Sequence, residues 1–455
     1  MTEGTQHLLM WLIFAVSYAG ISLGRIPGLV LDRTGVAILG AIGMLLVHGV
    51  TVHQAAGYID HQTLLLLFGL MIFSAQLRVA GFYGIAGRFL IRLVDRPKLL
   101  LAGLVLTSGI LSSLLANDVV CLALTPLLCA ALLKAGRDPL PYLLALAMSS
   151  NIGSAATLIG NPQNMYIGAA ADLPFAHFTL VMLPVVLVGL ALCWGGIVLL
   201  YPRALRSSAP AAQAASGPGR DFRASRPPLT TKERRPYRRS IAFEEGDTLT
   251  PTSLPLQREV PEKDLYLIFK SVALLAALVI SFLFLRGEGR AIAALVGAGV
   301  LLCSRRAGAA RLYQLVDWNL ILLFLGLFVL NGAMQQQDLA ARALREISAR
   351  GLDLQQPVSL AAVTLVLSNL VSNVPAVLLL KPALPAADTQ LWYLLALVST
   401  IAGNLTLVGS IANLIVAESA AAYGVRVDLA SYCRLGIPLT LLLTGLSVGW
   451  LLVVF

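Results

Sequence analysis

Long apolar runs separated by short polar turns occupy most of this chain. Many approach the roughly 20 residues that a helix needs to cross hydrocarbon. The pattern predicts ten spans, at about 8–24, 34–50, 62–80, 140–172, 176–201, 265–285, 289–304, 317–334, 390–423 and 430–454. Two helical hairpins are expected at about 98–135 and 357–385. Residues 202–263 carry no apolar period. Ser207–Gly219 is rich in Ala, Pro, Ser and Gly, Arg220–Arg239 is basic, and Glu244–Glu262 is mixed. This stretch reads as a disordered cytoplasmic linker, a solvated loop rather than a lipid-touching one.

The two flanks, 1–201 and 264–455, repeat each other. Asp60 and Gly69 match Asp317 and Gly326, Asn117 matches Asn373, and Pro126 matches Pro382. Tyr142–Leu146 matches Tyr393–Leu397, Gly160 matches Gly409, and Phe178 and Pro184 match Tyr432 and Pro438. Each half has five spans, an odd number, so the second copy enters the membrane from the opposite side. The expected fold is an all-α polytopic membrane protein of two inverted repeats, each with a re-entrant hairpin and a broken helix. The limb after Asn373 meets Pro382 and Pro385 within about a dozen residues, too short to span, and symmetry extends re-entry to the first hairpin. Lys and Arg concentrate in the loops that this topology places inside, while the loops at 51–61 and 170–177 hold none, which puts both termini outside. Before each hairpin lies a basic amphipathic stretch. Phe82, Ile85, Phe89 and Leu93 alternate with Arg88, Arg92 and Arg96; Leu339, Leu344 and Ile347 alternate with Arg342, Arg345 and Arg350. Such helices lie in the membrane interface.

Polar clusters interrupt the apolar pattern twice, in matched places. The first copy is Ala116-Asn117-Asp118 with Gly160-Asn161-Pro162-Gln163-Asn164; the second is Ser372-Asn373-Val374 with Gly409-Ser410-Ile411-Ala412-Asn413. Duplicated breaks at membrane depth mark the binding site of a secondary transporter. Asn117 and Asn373 are placed to cap the helices that follow, with Pro375 in a first turn. The helix N-termini suit an anion, and carbonyls freed at the breaks suit a small cation such as Na⁺. The substrate-facing set is therefore Asn117, Asn161, Asn164, Asn373, Ser410 and Asn413, and the ion-coupling set is Asp118, Gly160, Ser372 and Gly409. Asp118 stands where the second copy has Val374. A carboxylate at that depth takes up a proton, helps to hold Na⁺, or caps the tip. Glu418 is a second unmatched acid nearer the inside surface, where snorkelling competes with coupling.

Composition agrees. The 455 residues are 58% hydrophobic and 12% charged, about half the charge of a soluble domain. The net charge of +10 resides in loops and the linker, so it signals topology and not a nucleic-acid partner. Cys121, Cys129, Cys193, Cys303 and Cys433 stand singly, and His48, His53 and His61 lack helical ligand spacing, so no metal site is expected. No HExxH or catalytic His/Ser/Cys arrangement points to an enzyme, and no cofactor is implied beyond Na⁺ or H⁺ as coupling ion.

The motifs, with Asn151-Ile152-Gly153-Ser154-Ala155-Ala156-Thr157 and Gly403-Asn404-Leu405-Thr406 leading into the two breaks, resemble the ion transporter superfamily with the citrate-transporter-like domain. That group includes arsenite efflux permeases, D-type sodium/proton antiporters, the melanosomal P protein and divalent anion/sodium symporters. The resemblance implies a scaffold, a moving transport domain and a homodimer. The divalent anion symporters carry Ser-Asn-Thr at both tips; here both lack the Thr and the first also lacks the Ser. The Asn-Asp tip is similar to that of arsenite permeases and points toward proton coupling or antiport. The expectation is an ion-coupled transporter of a small inorganic or organic anion in the cytoplasmic membrane, with arsenite efflux or sodium/proton antiport as alternatives and a channel or membrane enzyme behind them.

Overall fold

The computed structural model describes residues 2–24, 31–49, 51–206, 264–304, 306–337, 339, 342, 346 and 351–455. The expected linker from 207 onward, Arg305, and Leu344, Arg345, Ile347 and Arg350 of the second amphipathic stretch lie outside these. Among the described residues there is no β-strand. The first half runs α1 (Glu3–Leu23), α2 (Arg33–His48), α3 (Val52–Ala56), α4 (His61–Val79), α5 (Phe82–Ile91), α6 (Pro97–Leu114), α7 (Asn117–Lys134), α8 (Leu140–Ser154), α9 (Pro162–Ala170) and α10 (Phe175–Leu200). The second runs α11 (Leu265–Phe284), α12 (Glu288–Leu302), α13 (Ala309–Tyr313), α14 (Trp318–Gln336), α15 (Pro357–Val371), α16 (Asn373–Leu380), α17 (Thr389–Ala402), α18 (Ile411–Ala421) and α19 (Leu429–Val454).

Eight of the described helices, α1, α4, α6, α7, α10, α11, α14 and α19, are long and apolar enough to cross a membrane. The spans expected at 34–50 and 289–304 are shorter, α2 having 16 residues and α12 having 15. The spans expected at 140–172 and 390–423 each divide into two helices, α8 with α9 and α17 with α18. The breaks fall before the positions expected: α9 begins at Pro162 and α18 at Ile411, so Asn164 and Asn413 lie in first turns and not in the gaps.

The hairpins differ in length. Limbs α6 and α7 have 18 residues each, enough for a minimal span, whereas α16 has 8. The first tip nevertheless meets α8 near its C-terminal end, where Asn117 bonds Asn151, and α9 continues beyond that point. Close packing of α6 on α8 needs two glycines: a Cβ on Gly153 would overlap the backbone of Gly109.

Packing between the halves is reciprocal. A Cβ on Gly69 of α4 would approach the Ala294 backbone of α12 at 2.9 Å, and one on Gly326 of α14 would approach the Ala37 backbone of α2 at 2.7 Å. The matched glycines thus let each half's third span lie against the other half's second. Two polar contacts tie the turn before α10 to the turn before α12: the Gly287 amide donates to Asp172 Oδ1 at 3.0 Å, and the buried Arg290 donates to the Leu173 carbonyl at 2.7 Å.

Helix α5 turns its buried face, Tyr83, Gly87 and Leu90, to the protein, and leaves Ile85 and Phe89 exposed. Its expected apolar stripe is therefore divided: Ile85 and Phe89 point away from the core, whereas Phe82 and Leu93 pack partly against it.

Candidate functional site

The N-caps of α7 and α16 are Ala116 and Ser372, and neither makes a side-chain capping bond. The capping expected of Asn117 and Asn373 does not occur, because both residues are already helical. The Asn117 amide is instead free to reach sideways, and its Nδ2 donates to Asn151 Oδ1 at 3.1 Å. Ser372 reaches its position with φ 79° and ψ 160°, a backbone region that residues other than glycine seldom occupy. Pro375 sits in the first turn of α16, as expected.

Asn151 is the hub, 3% exposed. Its Nδ2 donates to Asn404 Oδ1 at 2.9 Å and to Asn413 Oδ1 at 3.0 Å. Its Oδ1 accepts from Asn117 and from Ser410 Oγ at 3.1 Å. One amide thereby joins the first tip to the break of the opposite half. A second knot forms around Thr400 of α17: Asn161 Nδ2 donates to its hydroxyl at 3.1 Å, Gln163 Nε2 does so at 3.3 Å, and that hydroxyl donates to the Ala396 carbonyl. Asn161 also caps α9 through its Oδ1, which accepts from the Asn164 amide at 2.9 Å, and Pro162 follows at the first helical position.

Asn164 and Asn413 do the same local job. Asn164 Nδ2 donates to the Thr157 carbonyl at 3.1 Å and more distantly to that of Ser154; Asn413 Nδ2 donates to the carbonyls of Gly403 at 2.7 Å and Thr406 at 3.3 Å. Helices that stop inside a dry core leave such carbonyls without partners, and a buried one is costly. Gly160 and Gly409 allow the chain to fold back tightly. A Cβ on Gly160 would overlap the Ser154 carbonyl, and one on Gly409 would lie 2.7 Å from Asn369 Oδ1.

Asp118 occupies the first turn of α7, half-buried, and makes no hydrogen bond or ion pair among the described residues. Its carboxylate lines a cavity of about 60 Å³ with Asn117, Asn161, Met165 and Asp317. Asp317 caps α14, accepting from the Leu320 amide at 3.0 Å, and also brings a second carboxylate to this cavity. At the second tip Asn373 Oδ1 is buried without a partner, and its Nδ2 lies near Gly403. Asp60, the match of Asp317, caps α4 through the Thr63 amide. Glu418 is exposed, apart from these groups. Among the described residues no cluster of His, Cys, Asp or Glu has metal-holding geometry.

Thus Asn117, Ser410 and Asn413 meet at one knot, and Asn161 and Asn164 at another. The sequence does not single out Asn151, Asn404 and Thr400 as site residues. Asn151 and Asn404 were visible only as polar positions leading into the breaks, and Thr400 is an ordinary helical residue until the halves are brought together.

Comparison with known proteins matches residues 9–402 to the model of the family described as CitMHS, citrate transporter. The chain belongs to the citrate transporter family. A rice (Oryza sativa subsp. japonica) relative named silicon efflux transporter LSI3 is 30% identical, with 93% of each chain covered. A Dictyostelium discoideum relative named putative transporter arsB is 28% identical over 96% of this chain and 90% of its own. The solved structure of MtrF from Neisseria gonorrhoeae, described as one of a class of antimetabolite efflux pumps, covers 98% of this chain and 94% of its own with a TM-score of 0.53 and 13% identity, a likeness of fold. This member of the citrate transporter family is a multi-pass membrane transporter.

Proposed function

We propose that the protein is an ion-coupled secondary active transporter that carries a small oxyacid or its anion across the cytoplasmic membrane by alternating access. The observation that carries this reading is the convergence of the first tip and the second break on Asn151, with the unpartnered Asp118 carboxylate on the adjoining cavity wall. Groups of this kind persist at membrane depth where they line a path for solute. The reciprocal packing of Gly69 and Gly326 supports an inverted pair of repeats, the arrangement that lets two halves rock about a central site.

The knots are built from amides and hydroxyls, which both donate and accept, and no Lys or Arg takes part among their described contacts. That chemistry suits a compact hydroxyl-rich acid more than a multiply charged anion. A cavity of about 60 Å³ holds a handful of waters, at about 10–15 Å³ each, which also favours a small inorganic solute. The name of the rice relative agrees with a weak oxyacid of that kind. We assign Asp118 as the group that binds the coupling proton, with Na⁺ as the alternative ion, and the homodimer in lipid belongs to the same proposal.

The test is accumulation of silicic acid, arsenite, phosphate and citrate in proteoliposomes under imposed pH and Na⁺ gradients. Asp118→Asn should abolish gradient-driven accumulation while the protein still inserts and folds; wild-type accumulation by that variant removes Asp118 from the mechanism. A second reading, sodium/proton antiport, is favoured by the two carboxylates, Asp118 and Asp317, on one cavity. A change in intravesicular pH driven by Na⁺ with no solute present distinguishes it.

A further inference from the structure

The corner between α4 and α5 holds donors that nothing in the transport reading uses. Ser74 and Arg78 lie one turn apart on α4, on the face that Leu70 and Met71 continue to the Asp118 cavity. Gly81, at φ 80°, then turns the chain so that α5 folds back with Tyr83 buried against this face.

Tyr83 is 3% exposed and Ser74 is 1% exposed; their hydroxyls lie near each other, yet neither makes a hydrogen bond of ordinary geometry. The Arg78 guanidinium is half-buried one helical turn beyond Ser74, and it donates no hydrogen bond and makes no ion pair among the described residues. Further along α5, Arg88 has a buried guanidinium nitrogen without an acceptor. Buried polar groups are normally paired, and leaving one unpaired costs about 1–3 kcal/mol. Two such hydroxyls beside an unpaired guanidinium, with no carboxylate bonded to any of them, form a set of donors awaiting an acceptor. A guanidinium fork with hydroxyls matches the oxygens of a tetrahedral oxyanion.

The corner also has access to lipid. Ile85 and Phe89 are exposed on α5, and Arg92 and Arg96 are exposed just beyond it, the arrangement of a helix at a membrane surface. We propose that the α4–α5 corner is an oxyanion site in which Arg78, Tyr83 and Ser74 receive a phosphate group, either the headgroup of an anionic lipid or a free oxyanion from the aqueous side. The site stands apart from Asp118 and does not depend on the transport proposal.

The experiment follows thermal unfolding of the delipidated full-length protein in detergent. One arm titrates short-chain phosphatidic acid, with phosphatidylcholine as control; the other titrates inorganic phosphate. A ligand that binds the folded state raises the unfolding midpoint. A rise with phosphatidic acid alone identifies the headgroup as the occupant, and a rise with inorganic phosphate as well identifies the free oxyanion as a second source. Arg78→Gln should weaken the apparent affinity by roughly tenfold or more through loss of a charge-assisted bond. Tyr83→Phe keeps the shape, removes one unpaired hydroxyl and should weaken the same affinity even if Arg78→Gln does not fold. Arg92→Gln, on the exposed side, should leave it unchanged. No rise in either arm, an equal rise with phosphatidylcholine and phosphatidic acid, or wild-type affinity in Tyr83→Phe and in any folded Arg78→Gln overturns the proposal.

Discussion

Asn151 Nδ2 lies 3.0 Å from Asn413 Oδ1, so the C-terminal end of α8 is bonded to the first turn of α18 in the other half of the chain. The same Asn151 amide group accepts from Asn117 and Ser410 and donates to Asn404. A single buried side chain therefore holds both halves in register where the helices break.

Asn151→Asp tests that register. The change removes the two donors while keeping the size, and turns a carboxylate oxygen toward Asn404 and Asn413 Oδ1. Each orphaned acceptor costs about 1–3 kcal/mol, so a large fall in thermal midpoint is expected. An unfolding midpoint equal to wild type would show that the knot contributes little to holding the halves together.

Ser372→Gly addresses the second tip. Serine at φ 79° and ψ 160° stores strain of about 1–3 kcal/mol, which glycine does not incur. The variant should unfold at higher temperature than wild type. If strain at the tip also sets the position of Asn373, transport will slow although stability has risen, and the two are read on the same preparation.

Gly160→Ala should prevent the fold from closing, because its Cβ meets the Ser154 carbonyl, a backbone atom that cannot swing aside. Gly445→Ala on α19 is the control. A Cβ there meets nothing within 4 Å, and removing a helical glycine gains about 0.5–1 kcal/mol. Size-exclusion profiles of the two variants in detergent should differ sharply, and matching monodisperse peaks would contradict the close approach at the break.

Asp428 caps α19 with its carboxylate, which accepts from the Ser431 amide and hydroxyl at 2.8 Å each. The bond from the Ser431 amide, and then that from its hydroxyl, hold the Asp428 pKa below the ordinary 3.8. A depressed carboxylate stabilises the folded state above the unfolded pKa, and the benefit fades as pH falls through the lower folded value. Asp428→Ala should therefore cost about 0.5–2 kcal/mol near neutral pH, typical of a lost cap. The gap should narrow in acid below about pH 4. A gap that is constant from pH 7 to pH 3 would count against the cap.

Much of the fold was legible in the sequence. Apolar runs longer than a soluble core requires, matched pairs such as Gly69 with Gly326, and clustered Asn and Gly inside those runs together specified a helical membrane transporter with two similar halves. The resemblance read from the tips and breaks is the family to which the chain belongs. The asymmetry of Asp118 against Val374 was equally plain, because it is a difference between two aligned residues. What the sequence could not supply was the use of each side chain. Asn before a helix usually caps it, but Asn117 begins the helix and bonds Asn151. Asn164 and Asn413 belong to the polar clusters that mark the breaks, yet they sit in the first turns that follow and satisfy the carbonyls that the breaks release.

Local sequence determined the helices, their interruptions and the duplication, since hydrocarbon burial and backbone satisfaction are enforced segment by segment. Tertiary structure decided the partners. Asn151 with Asn413, Thr400 with Asn161, and Asp118 with Asp317 across a cavity are choices made only when distant segments meet. An amide or carboxylate has several acceptable partners, and which one it takes depends on distances that no run of neighbouring residues encodes.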